Sequence, residues 1–274
     1  MNYQVLPISA GTGGETAPLH LYLWDNSPEL DDGLRRPLVL LCPGGGYAVT
    51  SDREAEGMAF RFLAMGVHAA VLRYSTAPAR YPAALLQLAA AVSLIRRNAD
   101  PWYVDPARIV VQGSSAGGHL AGCLGVFWQE DFLTRALGTP PELRRPNGLI
   151  LSYPVVTAGP FAHRESFHNL LGTGDPARAE ALSLEKRVNR FVPPVFLWHT
   201  WTDQTVPVEN SLLLLQALRE HGVPTEFHLF PVGRHGLGTA GALTAGRDNR
   251  GLQPECAVWM DLAGTWLHNL GRAY

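Results

Sequence analysis

Apolar positions along this chain follow two rhythms, and the two alternate. Residues 37–42, 67–72, 108–112, 148–153 and 195–199 are short apolar, β-branched runs with no polar alternation, the pattern of strands covered on both faces. A further strand is predicted over 225–230. Between these runs the period lengthens to that of a helix. Helices are predicted over 54–64, with Asp52 as N-cap, and over 81–98, with Pro82 at the start and Arg96-Arg97 at the end. Others are predicted over 118–127, 208–221 and 255–270. Residues 3–24 hold two short strand pieces around Gly11-Thr12-Gly13-Gly14, and the second, 19–24, alternates partially, as an edge strand does. The polar stretch 26–36 and the proline-rich stretch 138–147 read as loops. Residues 154–194 show no strand alternation and read as a small cap-like insertion carrying short helices. Strands alternating with helices imply an α/β fold, a mostly parallel central sheet flanked by helices on both faces. We read residues 1–274 as one domain of this kind, with no repeat or linker.

Composition narrows the function. The chain is 46% hydrophobic and 17% charged with a net charge of −2, so it has material for a packed core and no basic stripe for nucleic acid or an anionic membrane. Three scattered cysteines make a poor disulfide framework. No Lys or Arg precedes Arg35, no apolar leader is visible, and the longest apolar stretch, 83–95, is too short to span a bilayer. The expectation is a cytoplasmic protein without membrane partners. No His-Glu-x-x-His or Cys-x-x-Cys spacing occurs, so neither a metal nor another cofactor is expected.

In such a sheet the ligand site lies at the carboxyl ends of the strands, and the chemically suggestive residues all follow strands. Gly113-Ser114-Ser115-Ala116-Gly117 reads G-x-S-x-G between a strand and a helix of small residues. So sharp a turn would strain the serine backbone and expose its hydroxyl, with Gly113 and Gly117 required to avoid collisions. Ser115 is the candidate nucleophile. Pro43-Gly44-Gly45-Gly46 follows the 37–42 strand and can present bare N–H groups to a developing negative charge. It matches neither a phosphate-binding P-loop nor a dinucleotide-binding pattern. Asp203 follows the 195–199 strand and His235 the 225–230 strand, and a serine needs such a base, oriented by such an acid. Of the other histidines, His119 is expected to satisfy a local hydrogen bond and His199 to be structural, while His163, His168, His221 and His268 have no evident partner.

Ser115, Asp203 and His235 occur in the chain order of the α/β-hydrolases. The sequence resembles the esterase/lipase group of that fold, and more closely the bacterial acetyl esterases and acetylxylan esterases that deacetylate carbohydrates. The resemblance rests on Pro43-Gly44-Gly45-Gly46-Tyr47, Arg53-Glu54-Ala55-Glu56, Leu72-Arg73-Tyr74-Ser75, Gly113-Ser114-Ser115-Ala116-Gly117-Gly118-His119-Leu120, Leu151-Ser152-Tyr153-Pro154-Val155, Ser183-Leu184-Glu185-Lys186, Trp198-His199-Thr200 and His235-Gly236-Leu237. It implies Ser115 as nucleophile, Asp203 as acid, His235 as base and an oxyanion hole of Gly45, Gly46 and Ala116 N–H groups. Two positions depart from the pattern. Pro43 replaces the histidine of the lipase His-Gly-Gly-Gly, as in the acetyl-esterase subgroup, and Trp201-Thr202 precede the acid where smaller or more acidic residues are common.

The expected activity is cofactor-free hydrolysis of short acyl esters, acetyl esters of sugar hydroxyls by resemblance, through an acyl-enzyme. Tyr47, Tyr74 and Trp201 are candidates to stack on a sugar ring. An arylformamidase and a small serine peptidase share the machinery. A non-catalytic binding protein on this scaffold would be expected to lack one of the three residues. The expected partner is a small-molecule ester, and self-association is left open.

Overall fold

The fold is described from a computed structural model over residues 1–9 and 15–271. The glycine turn expected at 11–14 lies outside the described residues. Eight strands, β1 (Asn2–Ser9), β2 (Thr16–Leu23), β3 (Arg36–Cys42), β4 (His68–Leu72), β5 (Val104–Ser114), β6 (Gly148–Ser152), β7 (Val195–Thr200) and β8 (Thr225–Phe230), form one sheet in the order β1-β2-β4-β3-β5-β6-β7-β8. β1 and β2 pair antiparallel, β2 pairs antiparallel with β4, and β3 to β8 run parallel.

The helices are α1 (Glu56–Ala64), α2 (Ala83–Arg97), α3 (Ala116–Phe127), α4 (Asp131–Leu137), α5 (Pro141–Arg144), α6 (Arg164–Leu171), α7 (Pro176–Glu180), α8 (Glu209–Glu220), α9 (Pro254–Ala257) and α10 (Trp259–Asn269). The inner parallel strands β4, β6 and β7 are buried along their whole length because both faces are covered, as are residues 37–42 of β3 and 110–114 of β5, whereas β8 at the sheet margin is only partly buried. In β3, Leu38, Leu40 and Cys42 share a core with Leu85, Leu88 and Val92 of α2 and Leu120 and Leu124 of α3, while Val39 and Leu41 share the core of the other face with Met58 and Phe62 of α1 and Trp259 and Met260 of α10. Among the described residues no helix is long and apolar enough to cross a membrane.

The winding direction reverses around β3: the chain passes from β3 to β4 on one side, then crosses back to β5 on the other. At such a reversal the connections leaving the two strands diverge and open a crevice at their carboxyl ends. Cys42 and Gly113 are register partners there, so the glycine loop and Ser115 emerge side by side.

Four local expectations change. The 19–24 run is not an edge strand: β2 is enclosed by β1 and β4, and Leu19, Leu21 and Leu23 are buried. Asp52 does not cap a helix. It begins a short 3-10 turn over Asp52–Glu54, and its carboxylate pairs with Arg73 at 2.8 Å. The 138–147 loop contains α5, whose Arg144 is fully buried because its guanidinium donates to the carbonyls of Trp128, Thr139 and Glu130 and to the Thr134 hydroxyl. The C-terminal helix is two helices, α9 and α10, meeting at Val258. Residues 154–194 carry α6, α7 and a 3-10 turn, and Asn169 of α6 donates to the Gly46 carbonyl at 2.9 Å, seating this segment against the glycine loop.

Candidate active site

Ser115 sits between β5 and α3 with φ 56° and ψ −120°, a conformation few side-chain-bearing residues adopt. Packing leaves it little alternative. A Cβ on Gly117 would lie 2.0 Å from the Cys42 carbonyl oxygen, and one on Gly113 would lie 2.1 Å from the Gly117 carbonyl oxygen. The Ser115 N–H donates to Ser152 and its carbonyl accepts from Val155, both at 3.0 Å, so the turn is also tied to β6.

The loops after β7 and β8 bring two partners to its hydroxyl. His235 Nε2 is 2.8 Å from Ser115 Oγ, and His235 Nδ1 is 2.6 Å from Asp203 Oδ2. A carboxylate only accepts, so Nδ1 carries the proton and Nε2 is left to accept from the serine. Asp203 Oδ1 accepts from the N–H groups of Thr205 and Val206 at 2.9 and 3.0 Å. Burial alone would raise the Asp203 pKa. Hydrogen bonds from His199 and His235, with the His235 charge, outweigh that and hold it well below the usual carboxylate range.

The glycine loop faces this group. Gly45 has φ 128°, and a Cβ there would lie 2.2 Å from the Val49 carbonyl oxygen, so only glycine fits. Gly45 and Gly46 line the same cleft as Ser115 and His235. Among the described residues neither of their N–H groups has an intramolecular acceptor. Ala116 is the first residue of α3, where helical N–H groups lack partners within the helix. The cleft, about 590 Å³, is lined largely by polar side chains, Val49 being the one sizeable apolar exception. Among the described residues no cluster of three or more His, Cys, Asp or Glu side chains is placed to hold a metal.

The aromatic candidates do not gather at this cleft. Tyr47 is 2% exposed and its hydroxyl is 2.9 Å from His119 Nδ1. Tyr74 is equally buried and donates to the Pro43 carbonyl at 2.6 Å. Both therefore brace the glycine loop from beneath instead of offering a face to a sugar, because their hydroxyls find partners inside. Trp201 is exposed, but the cleft wall beside it is made by Thr202, Gln204 and Thr205. His119 completes the brace: its Nε2 lies 2.9 Å from the Leu182 carbonyl, tying α3 to the 154–194 segment.

Sequence reasoning gave no role at the site to five further residues. Glu54 is buried in the cleft wall. It accepts from the Gly44 N–H and the Tyr153 hydroxyl, each at 2.7 Å, and the Tyr153 oxygen accepts from the Gly238 N–H at 2.9 Å. One carboxylate thus joins the glycine loop to the loop carrying His235. Its signal was present in the Arg53-Glu54-Ala55-Glu56 stretch, without a role attached. His199 Nε2 lies 3.0 Å from the Val206 carbonyl and 3.3 Å from Asp203 Oδ2, so it helps to fix the Asp203 carboxylate. His163 lines the cleft with Nδ1 2.8 Å from Ser166 Oγ, its pKa lowered by burial and by His235. Arg53 and Arg234 also line the cleft.

Comparison with known proteins fits this geometry. The family model BD-FAE matches residues 27–218. The chain belongs to the BD-FAE family. It is 39% identical to endo-1,4-beta-xylanase B of Butyrivibrio fibrisolvens over 220 residues, 77% of this chain and 34% of that protein. It is 28% identical to an acetylxylan esterase of Xylanibacter ruminicola over 203 residues, 72% of this chain and 40% of that protein. The crystal structure of an acetyl ester-xyloside bifunctional hydrolase from Caldicellulosiruptor lactoaceticus superposes with a TM-score of 0.80 at 37% identity, covering 94% of this chain and 89% of that one. The chain spans between about a third and about half of the length of the curated relatives it matches. The BD-FAE chain thus has the α/β-hydrolase fold of the esterases to which it is similar. The matched span includes Ser115 and Asp203 and ends before His235, which joins them through the fold.

Proposed function

We propose that this BD-FAE protein is a serine carboxylesterase that removes acetyl groups from sugar hydroxyls. The observation that carries the reading is the continuous chain of short hydrogen bonds from Ser115 Oγ through His235 to Asp203, opening on a polar cleft. His235 takes the serine proton as Oγ attacks the ester carbonyl. The N–H groups of Gly45, Gly46 and Ala116 stabilise the oxyanion, and Asp203 stabilises the imidazolium. His235 then protonates the leaving alcohol, and water repeats the sequence to release the acid. The acetylated-sugar assignment is supported by the likeness to an acetylxylan esterase and to an acetyl ester-xyloside hydrolase, and by a cleft lining with Val49 as its one sizeable apolar side chain to receive a long acyl chain. Residues 154–194 act as a cap on one 274-residue domain in this reading.

The test is kcat/KM for acetate, butyrate and octanoate esters of one leaving group, with acetylated xylose alongside. Each added methylene is worth about 0.8 kcal/mol where a pocket buries it. Where none does, crowding costs about 1–3 kcal/mol. Acetate should lead and octanoate should be nearly inert. Octanoate preference would overturn the acetyl assignment, and acetate preference without sugar turnover would discard the carbohydrate.

A further inference from the structure

The cleft carries two cations with no internal task for their charge. Arg53, in the turn before α1, and Arg234, immediately before His235, both line it. Arg35, Arg61, Arg73, Arg108 and Arg250 all pair with carboxylates. Among the described residues neither Arg53 nor Arg234 does so. The one acid in the cleft wall, Glu54, has both oxygens engaged by Gly44 and Tyr153. Asp248 feels the Arg234 charge but is paired with Arg250. The Arg53 guanidinium is also held in place, since Nη1 donates to the Gly236 carbonyl at 2.8 Å. A guanidinium fixed by one nitrogen keeps others free for a planar acceptor.

Position decides which part of a substrate these cations meet. Gly45 and Gly46 lie on the oxyanion side, whereas Arg53 and Arg234 flank His235, which hands its proton to the leaving oxygen. We propose that Arg53 and Arg234 form a carboxylate subsite for the alcohol part of the ester, so that the favoured substrate is an acetylated sugar acid of the uronate type. This rests on the esterase reading above and narrows its substrate class. The reaction is unchanged: the acetyl–oxygen bond breaks, water supplies the hydroxyl, and the carboxylate is only bound.

The experiment compares acetate release from an O-acetylated methyl glucuronoside with release from its neutral uronamide, with a hemisuccinate and an acetate of one neutral alcohol run in parallel. The uronate should exceed the amide in kcat/KM by about tenfold at low salt, and the ratio should shrink in about 0.5 M NaCl as screening weakens the attraction. Arg53→Gln and Arg234→Gln should each pull the ratio toward one, while Arg219→Gln on α8 should leave it in place. A uronate no better than its amide overturns the proposal. So does a preference confined to the hemisuccinate, which would put the charge on the acyl side, or a ratio indifferent to both cleft variants. Absence of turnover on every ester, the simple acetate included, overturns the esterase reading and this one with it.

Discussion

The two halves of the site are held by different forces. The serine half is set by excluded volume: β5, the turn and α3 fit only with bare backbone at Gly113 and Gly117, because Cβ atoms there would fall about 2 Å from carbonyl oxygens. The half that carries Asp203 and His235 lies toward the sheet margin on loops after β7 and β8, and hydrogen bonds hold it. Thr200 and Thr202 hydroxyls donate to the Gly233 carbonyl at 2.9 and 3.0 Å, Arg53 holds Gly236, and Tyr153 holds Gly238. Steric placement is all or none. Placement by hydrogen bonds is graded and responds to protonation.

The largest effects should fall on the steric half. Gly117→Ala should fail to yield a folded protein, since the obstructing atoms are backbone. A soluble Gly117→Ala variant with the parental Tm would break the comparison at its root. Ser115→Ala should fold normally by circular dichroism and lose about 10⁵-fold or more in kcat, with His235→Ala close behind because the two act as one unit. Persistent labelling of Ser115→Ala by a serine-directed phosphonate would remove Ser115 from the chemistry.

The acid should cost less. Asp203→Asn keeps the shape but lets His235 take the wrong tautomer, and about 10⁴-fold in kcat is expected. His199, Thr205 and Val206 should hold the asparagine in place. Equal losses for Asp203→Asn and Ser115→Ala would mean that both halves are all or none.

The same contrast governs what the sequence made legible. Excluded volume leaves a mark in the residue type itself, so Gly113, Gly117 and the strand–turn–helix around Ser115 could be read directly. Apolar runs marked β3 to β7 for the same reason, each being covered on both faces. Hydrogen-bond partners leave no local mark. Glu54 meets Tyr153 across 99 positions, and nothing near either announces the other. Tyr47 and Tyr74 show the same limit, because a tyrosine bonded inside and one facing a sugar look alike in one dimension.

A hydrogen-bonded interior should also titrate. Burial pushes the His119 pKa down to about 4, against a smaller opposing effect of the Leu182 carbonyl, and does the same for His68, again to about 4, against the Tyr103 carbonyl. Between about pH 6.5 and 4 the unfolded chain therefore binds protons that the native protein refuses, so stability falls as pH falls through that window. The full shift is worth about 3 kcal/mol for each histidine. Asp203 adds a loss only below about pH 4, where its depressed pKa lets the unfolded chain protonate first. Urea denaturation at pH 7 and 4.5 should show the decline, and His119→Gln should reduce its slope by about one proton. An unchanged slope would mean that His119 is protonated in the native state.

The smallest predicted effect belongs to the residue that joins the halves. Glu54 contacts backbone on the serine side through Gly44 and reaches the histidine side through Tyr153, whose ring also meets His235 edge-on with centroids 5.0 Å apart. Glu54→Gln keeps the volume but has one acceptor oxygen for two donors. The Tyr153 hydroxyl can turn to accept from the new amide, so neither contact need be left empty, only weakened from ionic to neutral. A drop in kcat of about tenfold with KM little changed is the expected signature, because the glycine loop and His235 would drift relative to each other without losing a contact to bound ester. A rise in KM at constant kcat would instead make Glu54 part of the binding surface of the cleft it lines. A fall in Tm with both constants unchanged would show that the two halves keep their alignment without it, each held by its own force alone.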